Sequence, residues 1–367
     1  MKVAVIVSTY PPYRGGMGNL ARDHAEALAR AGHDVTVMAP VRSCEIGETD
    51  LKCLLLRPFL RYGNAAWAPQ LLWRLIGFDA VELHYPFFGG AEAVWLWKRL
   101  FGRRKRLTVV YHMDAVGRGF ARIVFSWHRR LFLKRILAAA DHIVCTSRDY
   151  LASSQAGMFA NDARLTEIPP GVDTRRFAPV IARAPRSAVF VGGLDRAHYF
   201  KGVEILLEAF QSVTAGFPDA RLFIVGDGDL RPRYERRAVA LGLGDKVRFL
   251  GRLGDAEKIE AYRSASFHVL PSIDRSEAFG MVTQEAAVSG LASVVSDLPG
   301  VRTTVEEGKT GLIVPPGDAA RLAEAMRRLF ADPEATGRLG AAARERAVRL
   351  YASDRVGRLI VDTVVGT

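Results

Sequence analysis

Two glutamates stand with seven residues between them in the run Ser276-Glu-Ala-Phe-Gly-Met-Val-Thr-Gln-Glu285. Ser276 can cap a helix that begins near Phe279, which would leave Glu277 in the preceding loop and Glu285 about two turns in. At a rise of ~1.5 Å per residue, the distance from Phe279 to Glu285 is roughly 9 Å, about the length of a sugar diphosphate. One carboxylate could then hold sugar hydroxyls while the other holds ribose hydroxyls. The free N–H groups of Gly280 and Met281 at such a helix start suit anionic or hydroxyl oxygens. Spacing alone fits two solvated helix glutamates equally well.

A second set of groups suits a diphosphate. Val191-Gly192-Gly193-Leu194-Asp195-Arg196 ends a strand on two glycines, and Lys201-Gly202 follows before the next helix. Arginine offers phosphate a two-pronged fork and lysine a point charge. Both would stabilise the negative charge that grows as a bond to phosphate breaks. Surface cations beside a turn are the plainer alternative. Gly15-Gly16-Met17-Gly18 could bring backbone N–H groups close to a phosphate or sugar. It lacks the dinucleotide fingerprint, because residues 9–14, with two prolines, separate strand and glycines. His112, in Tyr111-His112-Met113-Asp114, falls at the C-terminal end of a strand, where ligand sites of α/β sheets lie. Asp227-Gly228-Asp229 mimics a metal-binding carboxylate pair and reads as a turn, since cations already supply the charge a metal would bring.

These groups need a scaffold that gathers strand ends. Short apolar runs at residues 3–8, 34–39, 80–84, 107–112 and 142–146 read as buried parallel strands. Helical patterns lie between them at 18–31, 66–77, 90–101 and 119–140, with Gly32 closing the first. A Pro/Gly-rich stretch through Ile168-Pro169-Pro170-Gly171 and residues 177–185 marks a linker. The rhythm resumes with strands at 188–191, 222–225, 247–250, 267–270, 292–295 and 312–314, and helices at 203–215, 231–241, 256–264 and 279–289. Residues 322–365 are almost wholly helical. The pattern predicts two doubly wound α/β domains in tandem.

The chain's 367 residues suit two cores, and 49% hydrophobic with 25% charged residues is a globular composition. Cys44, Cys53 and Cys145 are scattered, which argues against a disulfide framework and points to a reducing compartment. Five apolar residues at the start are too few for a signal-peptide core, and no run is long enough to span a membrane. The net charge of +12 is uneven: residues 1–180 carry 25 Lys/Arg against 15 Asp/Glu, and the remainder 26 against 24. The excess sits around Trp95, Trp97 and Arg103-Arg104-Lys105-Arg106, and along residues 118–135. There Phe120, Ile123, Val124, Trp127 and Leu131 recur at helical spacing beside Arg118, Arg122, Arg129, Arg130 and Lys134. The apolar stripe reads mostly as core, and the basic face as a surface for anionic lipid. No stacking platform or groove-reading helix accompanies the charge, so nucleic acid is not the expected partner.

Taken in order, these segments resemble the family 4 glycosyltransferases of the GT-B fold. The resemblance runs from residues 12–18 through Gly32-His33-Asp34-Val35-Thr36-Val37, His112, Ile168-Pro169-Pro170-Gly171-Val172-Asp173 and Arg196/Lys201-Gly202. It continues through Pro271-Ser272, Glu277 to Glu285, and Gly308-Lys309-Thr310-Gly311-Leu312 to Pro316-Gly317-Asp318. It implies two facing Rossmann-like domains with an interdomain cleft. Residues 1–180 would bind acceptor, 181–350 would bind donor, and a C-terminal crossover helix, 351–367, would return to the first domain. It also implies a retaining transfer of a hexose from a nucleotide-diphosphate sugar, GDP-mannose or a UDP-hexose, and the basic face favours a lipid-linked glycan precursor as the acceptor. Glu277 would hold sugar hydroxyls with the backbone of Phe279, Gly280 and Met281 beside it. Glu285 would bind ribose, Arg196 and Lys201 the diphosphate, and His112 would lie near the sugar. Gly15, Gly16 and Gly193 would approach the donor, and the backbone around Arg252 and Leu253 would read the base. No cofactor and no metal are expected, and the setting would be cytoplasmic, peripheral at the inner face of the plasma membrane. The family motif Gly-x-Gly-Pro is replaced here by Gly226-Asp227-Gly228-Asp229. A nucleotide-sugar 2-epimerase of the same fold, or a basic nucleic-acid-binding protein, are the alternatives.

Overall fold

The computed structural model describes residues 1–12, 15–41, 43–44, 51–62, 65–114, 125–177 and 186–366. Tyr13, Arg14, Arg118, Phe120, Arg122, Ile123, Val124 and residues 178–185 of the expected linker lie outside that range. The chain forms two compact units, Met1–Gly171 with Ser353–Thr367, and Val172–Ala352. The division falls at 171/172, earlier in the chain than the expected 180/181.

The first unit holds β1 (Lys2–Ile6), α1 (Gly16–Arg30), β2 (Asp34–Ala39), β3 (Lys52–Leu55), the short antiparallel pair β4 (Arg61–Tyr62) and β5 (Ala65–Ala66), and α2 (Leu71–Arg74). It continues with β6 (Ala80–Tyr85), α3 (Ala91–Leu100), β7 (Arg106–Tyr111), α4 (Lys134–Ala139), β8 (His142–Cys145), α5 (Arg148–Ser153) and β9 (Leu165–Glu167). Seven strands pair in the order β3-β2-β1-β6-β7-β8-β9, and every pairing is parallel. The order reverses direction between β1 and β6, the crevice where doubly wound sheets place ligands. Helix α1 lays Leu20, Ala21, His24, Ala25 and Leu28 on the sheet, and ends where the His33 N–H returns to the Leu28 carbonyl.

Three expectations for this unit are corrected. The helix expected over 66–77 shrinks to α2 and a following 3₁₀ turn, because the Ala66 and Ala68 N–H groups bond the carbonyls of Phe88 and Gly89 and Pro69 interrupts the pattern. The apolar stripe at 120–131 is not core in its described part: Trp127 is 62% and Leu131 42% exposed, while the buried residues of that segment are His128, Leu133, Ile136 and Leu137. Cys44 and Cys53 are disulfide-bonded, and only Cys145 is free among the described residues. Parallel pairing of β3 on β2, which sets Cys53 beside Val37, returns Cys53 to the chain that follows β2.

The second unit holds β10 (Ser187–Val191), α6 (Val203–Gly216), β11 (Arg221–Val225), α7 (Arg231–Ala240), β12 (Val247–Gly251), α8 (Asp255–Arg263), β13 (Phe267–Leu270) and α9 (Met281–Val288). After these come β14 (Ala292–Ser296), β15 (Gly311–Val314), α10 (Ala319–Ala331) and α11 (Pro333–Tyr351), and α12 (Ser353–Val365) then rejoins the first unit. Six parallel strands lie in the order β12-β11-β10-β13-β14-β15, reversing between β10 and β13. Both faces are covered, as a parallel sheet requires. Ala188 and Phe190 of β10 pack into one core with α6 and α10, whereas Val189 and Val191 pack into another with α8, α9 and α11.

Candidate active site

The reversal between β10 and β13 places two loops side by side, and both carry expected site residues. After β10 the chain passes Gly192-Gly193 and enters a 3₁₀ helix, Arg196–Lys201, capped by the Asp195 carboxylate on the N–H groups of Ala197 and His198. After β13 it passes Pro271-Ser272 to Glu277. The loops are pinned together: the Ile273 N–H bonds the Phe200 carbonyl at 2.8 Å, and the Tyr199 hydroxyl donates to Asp274 at 2.7 Å. Gly202 ends the 3₁₀ helix at φ +71°, and a Cβ there would overlap the Pro271 carbonyl, so only glycine lets the loops approach. The Tyr199 hydroxyl and the Phe200 carbonyl therefore clasp the two loops together.

This clasp brings Lys201 to Glu277. Nζ lies 2.6 Å from Oε2, with both side chains 11% exposed. Ser272 Oγ donates to the same oxygen at 3.2 Å. A mostly buried carboxylate thus meets a cation and a hydroxyl, each presented by its own loop. Arg196 differs. Its side chain is 85% exposed, pairing with Asp229 at 3.1 Å, and its backbone N–H also bonds that carboxylate. Asp227 faces Arg231 at 3.9 Å and accepts the Gly228 N–H, so both carboxylates of the Asp227-Gly228-Asp229 turn face arginines.

Helix α9 begins at Met281, two residues later than expected, and Ser276 does not cap it. Gly280 is the N-cap, at φ +86°, a left-handed turn that interrupts any helix from Phe279. A Cβ on Gly280 would also press on Leu270 at 2.7 Å. Glu277 remains in the loop. Glu285 is the fifth helical residue, a little over one turn in, rather than two. Phe279 is buried against the α8, α9 and α11 core, and Gly280 and Met281 stand where a helix leaves its first N–H groups without partners.

Glu285 has two partners that the motif search did not single out. Lys258 Nζ lies 2.7 Å from Oε1, and the buried Tyr262 hydroxyl donates to Oε2 at 2.9 Å. Their spacing on α8, four residues apart and on one helix face, was the available signal. Arg252 is exposed in the loop after β12, and Leu253 packs partly on the core. At Gly193 the space a side chain would fill is taken by the His198 ring.

In the first unit, Gly15 is the N-cap of α1 with Gly16 as its first residue. His112 directly follows β7 and is 6% exposed. Its ring belongs to a buried set that sequence reasoning missed: His24 of α1 and Glu82 and His84 of β6. His24 Nδ1 donates to Glu82 Oε1 at 2.6 Å, His84 Nε2 lies 3.6 Å from that oxygen, and His84 Nδ1 meets His112 Nε2 at 2.7 Å. The signal was two polar residues, at i and i+2, on one face of an otherwise apolar strand. His24, Glu82 and His84 offer ligand atoms within 4.8 Å of one another, the one such group among the described residues, though a direct hydrogen bond already joins two of them. Burial above all, and then the proximity of His24, lowers the His112 pKa to about 3. Burial, followed by His112 and His24, likewise holds His84 well below the usual range. Both rings are neutral at physiological pH.

Two parallel-sheet Rossmann-like units, with a cation–carboxylate pair at one sheet reversal, define the GT-B class of glycosyltransferases. The chain matches Glycosyltransferase Family 4 over residues 14–176 and Glycosyl transferases group 1 over residues 173–346, and it belongs to this glycosyltransferase family. It is 36% identical over 390 residues to a phosphatidyl-myo-inositol mannosyltransferase of Mycobacterium tuberculosis, covering all of this chain and 98% of that one. It is 30% identical to a GDP-mannose-dependent alpha-(1-6)-phosphatidylinositol monomannoside mannosyltransferase of Mycolicibacterium smegmatis, covering 94% of this chain and 93% of that one. Among solved structures, sucrose-phosphate synthase from Thermosynechococcus elongatus superposes with a TM-score of 0.79 at 24% identity, covering 98% of this chain and 97% of that one, a likeness of fold. The protein is a glycosyltransferase.

Proposed function

We propose that the enzyme transfers a hexose from a nucleotide-diphosphate sugar, GDP-mannose or a UDP-hexose, to a lipid-linked acceptor with retention of anomeric configuration and without a metal. The Lys201–Glu277 pair carries this reading. Glu277 accepts hydrogen bonds from sugar hydroxyls, and Lys201 with Arg196 takes up the charge of the departing diphosphate. Glu285 binds the ribose, the N–H groups of Phe279, Gly280 and Met281 meet donor oxygens, and the backbone at Arg252 and Leu253 lies along the base. Gly15, Gly16 and Gly193 keep backbone near the donor, and His112 accepts a hydrogen bond from the sugar. The bond from the anomeric carbon to phosphate breaks with its electrons going to the phosphate oxygen. The acceptor oxygen bonds the same face of that carbon, and its proton passes to the departing phosphate.

The lipid-linked acceptor is supported by the phosphatidylinositol mannosyltransferases among the relatives, and a peripheral place on the membrane by the first unit's surface. No helix among the described residues is long and apolar enough to cross a membrane. At the end of α3, Leu100 and Phe101 are 57% and 56% exposed beside exposed Arg99, Arg103 and Arg104. Trp127 and Leu131 stand exposed beside Arg129 and Arg130. Aromatic and basic groups together suit an anionic interface.

Purified protein should be melted with GDP-mannose and UDP-glucose, then incubated with the stabilising donor, labelled in its sugar, and phosphatidylinositol vesicles with and without EDTA. The reading expects a raised melting temperature, label in the lipid fraction, an unchanged rate in EDTA, and a product of unchanged anomeric configuration by NMR. Inverted product, or activity abolished by EDTA and restored by magnesium, would overturn it.

A further inference from the structure

The buried set of His24, Glu82, His84 and His112 is more than a filled core. Glu82 and His84 are fully buried in the central strand β6, where β-branched or aliphatic residues would pack without polar cost. We propose that Glu82 is a positioning residue which, acting through His84, fixes the proton of His112 on Nε2 and leaves Nδ1 as a hydrogen-bond acceptor for a hydroxyl of the bound sugar. The inference rests on the reading above that His112 meets the donor sugar.

The geometry decides where the protons sit. His84 and His112 are neutral, so each ring carries one proton, and one proton lies between His84 Nδ1 and His112 Nε2 at 2.7 Å. If His84 placed its proton on Nδ1, its Nε2 lone pair would face Glu82 Oε1 at 3.6 Å, two acceptors opposed in a site closed to water. With the proton on Nε2, the same approach becomes an attraction, and attractions are strengthened where the dielectric is low. His84 Nε2 has no other partner that could reverse this choice among the described residues. His84 Nδ1 then accepts, and His112 Nε2 must donate. His24, which donates to Glu82 Oε1 at 2.6 Å, keeps that oxygen in place without competing for His84. The neutral His112 is left with a lone pair on Nδ1, and this atom makes no hydrogen bond among the described residues. A carboxylate that fixes the proton of a neighbouring imidazole is also what sets tautomers around metal-bound histidines.

The test is nitrogen-15 NMR of the full chain labelled in its histidine rings, with His112 assigned by its substitution. The expected wild-type spectrum shows His112 and His84 protonated on Nε2 only. Protonation of His112 on Nδ1, or one equivalent of bound zinc or other metal in the purified protein, would overturn the proposal, because either removes the chain from Glu82 to His112. Glu82→Gln keeps the shape and removes the charge. It should shift His112 toward the Nδ1-protonated or a mixed state and lower kcat by about tenfold or more, while the donor KM changes less than about threefold. A Glu82→Gln enzyme with the wild-type tautomer and wild-type kcat would also overturn it. If Glu82→Gln does not fold, the wild-type spectrum still decides. If the tautomers are as expected but no sugar is transferred, the functional reading fails and the positioning of His112 stands.

Discussion

Lys201 Nζ sits 2.6 Å from Glu277 Oε2, across two loops that follow neighbouring but non-consecutive strands. The two residues are 76 positions apart in the chain. The pair joins a group suited to a leaving diphosphate to one suited to sugar hydroxyls, in direct contact. The two are therefore expected to fail together.

Lys201→Ala and Glu277→Gln should each lower kcat by about 10²-fold, as loss of preorganised charge does at other sites. Because the groups touch, the double variant should fall well short of the product of the two losses. Steady-state kinetics on all four enzymes decide the matter, and strictly multiplicative losses would show that the pair does not act as a unit.

Glu285 is expected to act on binding. Glu285→Ala should mainly raise the donor KM, since ribose contacts are alike in ground and transition states. Tyr262→Phe removes a hydrogen bond to that carboxylate and should raise the donor KM several-fold with kcat nearly intact. A drop in kcat at constant KM in both variants would place Glu285 in the chemistry instead.

Arg196 separates catalysis from stability. Its pairing with Asp229 is solvent-exposed, and such pairs contribute little to folding. Arg196→Ala should leave the melting temperature unchanged and still lower kcat by about 10²-fold if the guanidinium meets phosphate. Asp229→Ala is expected to be mild, since it frees Arg196 for the donor. Wild-type turnover in Arg196→Ala would remove that residue from the site.

Acid should destabilise the fold partly through histidines that burial keeps neutral. His268, fully buried on β13, has its pKa lowered to about 3, first by burial and then by the charge of Lys201. Below the unfolded value near 6.5 the unfolded chain takes up a proton that the folded chain refuses, so this contribution is lost as pH falls from about 6.5 toward 3, at ~1.4 kcal/mol per pH unit. His84 and His112 act with the same sign. Denaturant titrations between about pH 6 and 4 should show a shallower loss of stability in His268→Gln than in wild type. Parallel slopes would contradict the neutral state of His268.

Membrane docking should follow the exposed basic and aromatic corner at the end of α3. Charge reversal at Arg99, Arg103 and Arg104 should release the protein from anionic vesicles, with each charge worth about 1 kcal/mol at the surface. Arg106 belongs outside this set, because its guanidinium bonds the Val365 carbonyl at 2.8 Å and so anchors the last helix. Transfer to a soluble acceptor analogue should persist in the triple variant. Wild-type protein that ignores acidic vesicles at low salt would remove the membrane from the account.

The alternation of buried apolar runs with amphipathic helices determined two parallel α/β units, because a strand buried on both faces and a helix with one apolar face are local patterns. Local spacing also placed Glu277 in a loop and located the glycines at 193, 202 and 280. Where α9 starts was decided by backbone conformation: Gly280 sits at φ +86°, and Leu270 fills the space a Cβ there would need. Tertiary structure alone decided which charges meet. Lys201 finds Glu277 because β13 lies beside β10 in the sheet, and Glu285 finds Lys258 and Tyr262 because α8 packs beside α9. His24 comes from a helix, Glu82 and His84 from one strand, and His112 from the residue after another, and in sequence nothing links them. Their contacts exist because parallel pairing of β6 with β7 sets side chains from different segments on one buried face, a relation that no single stretch of the sequence contains.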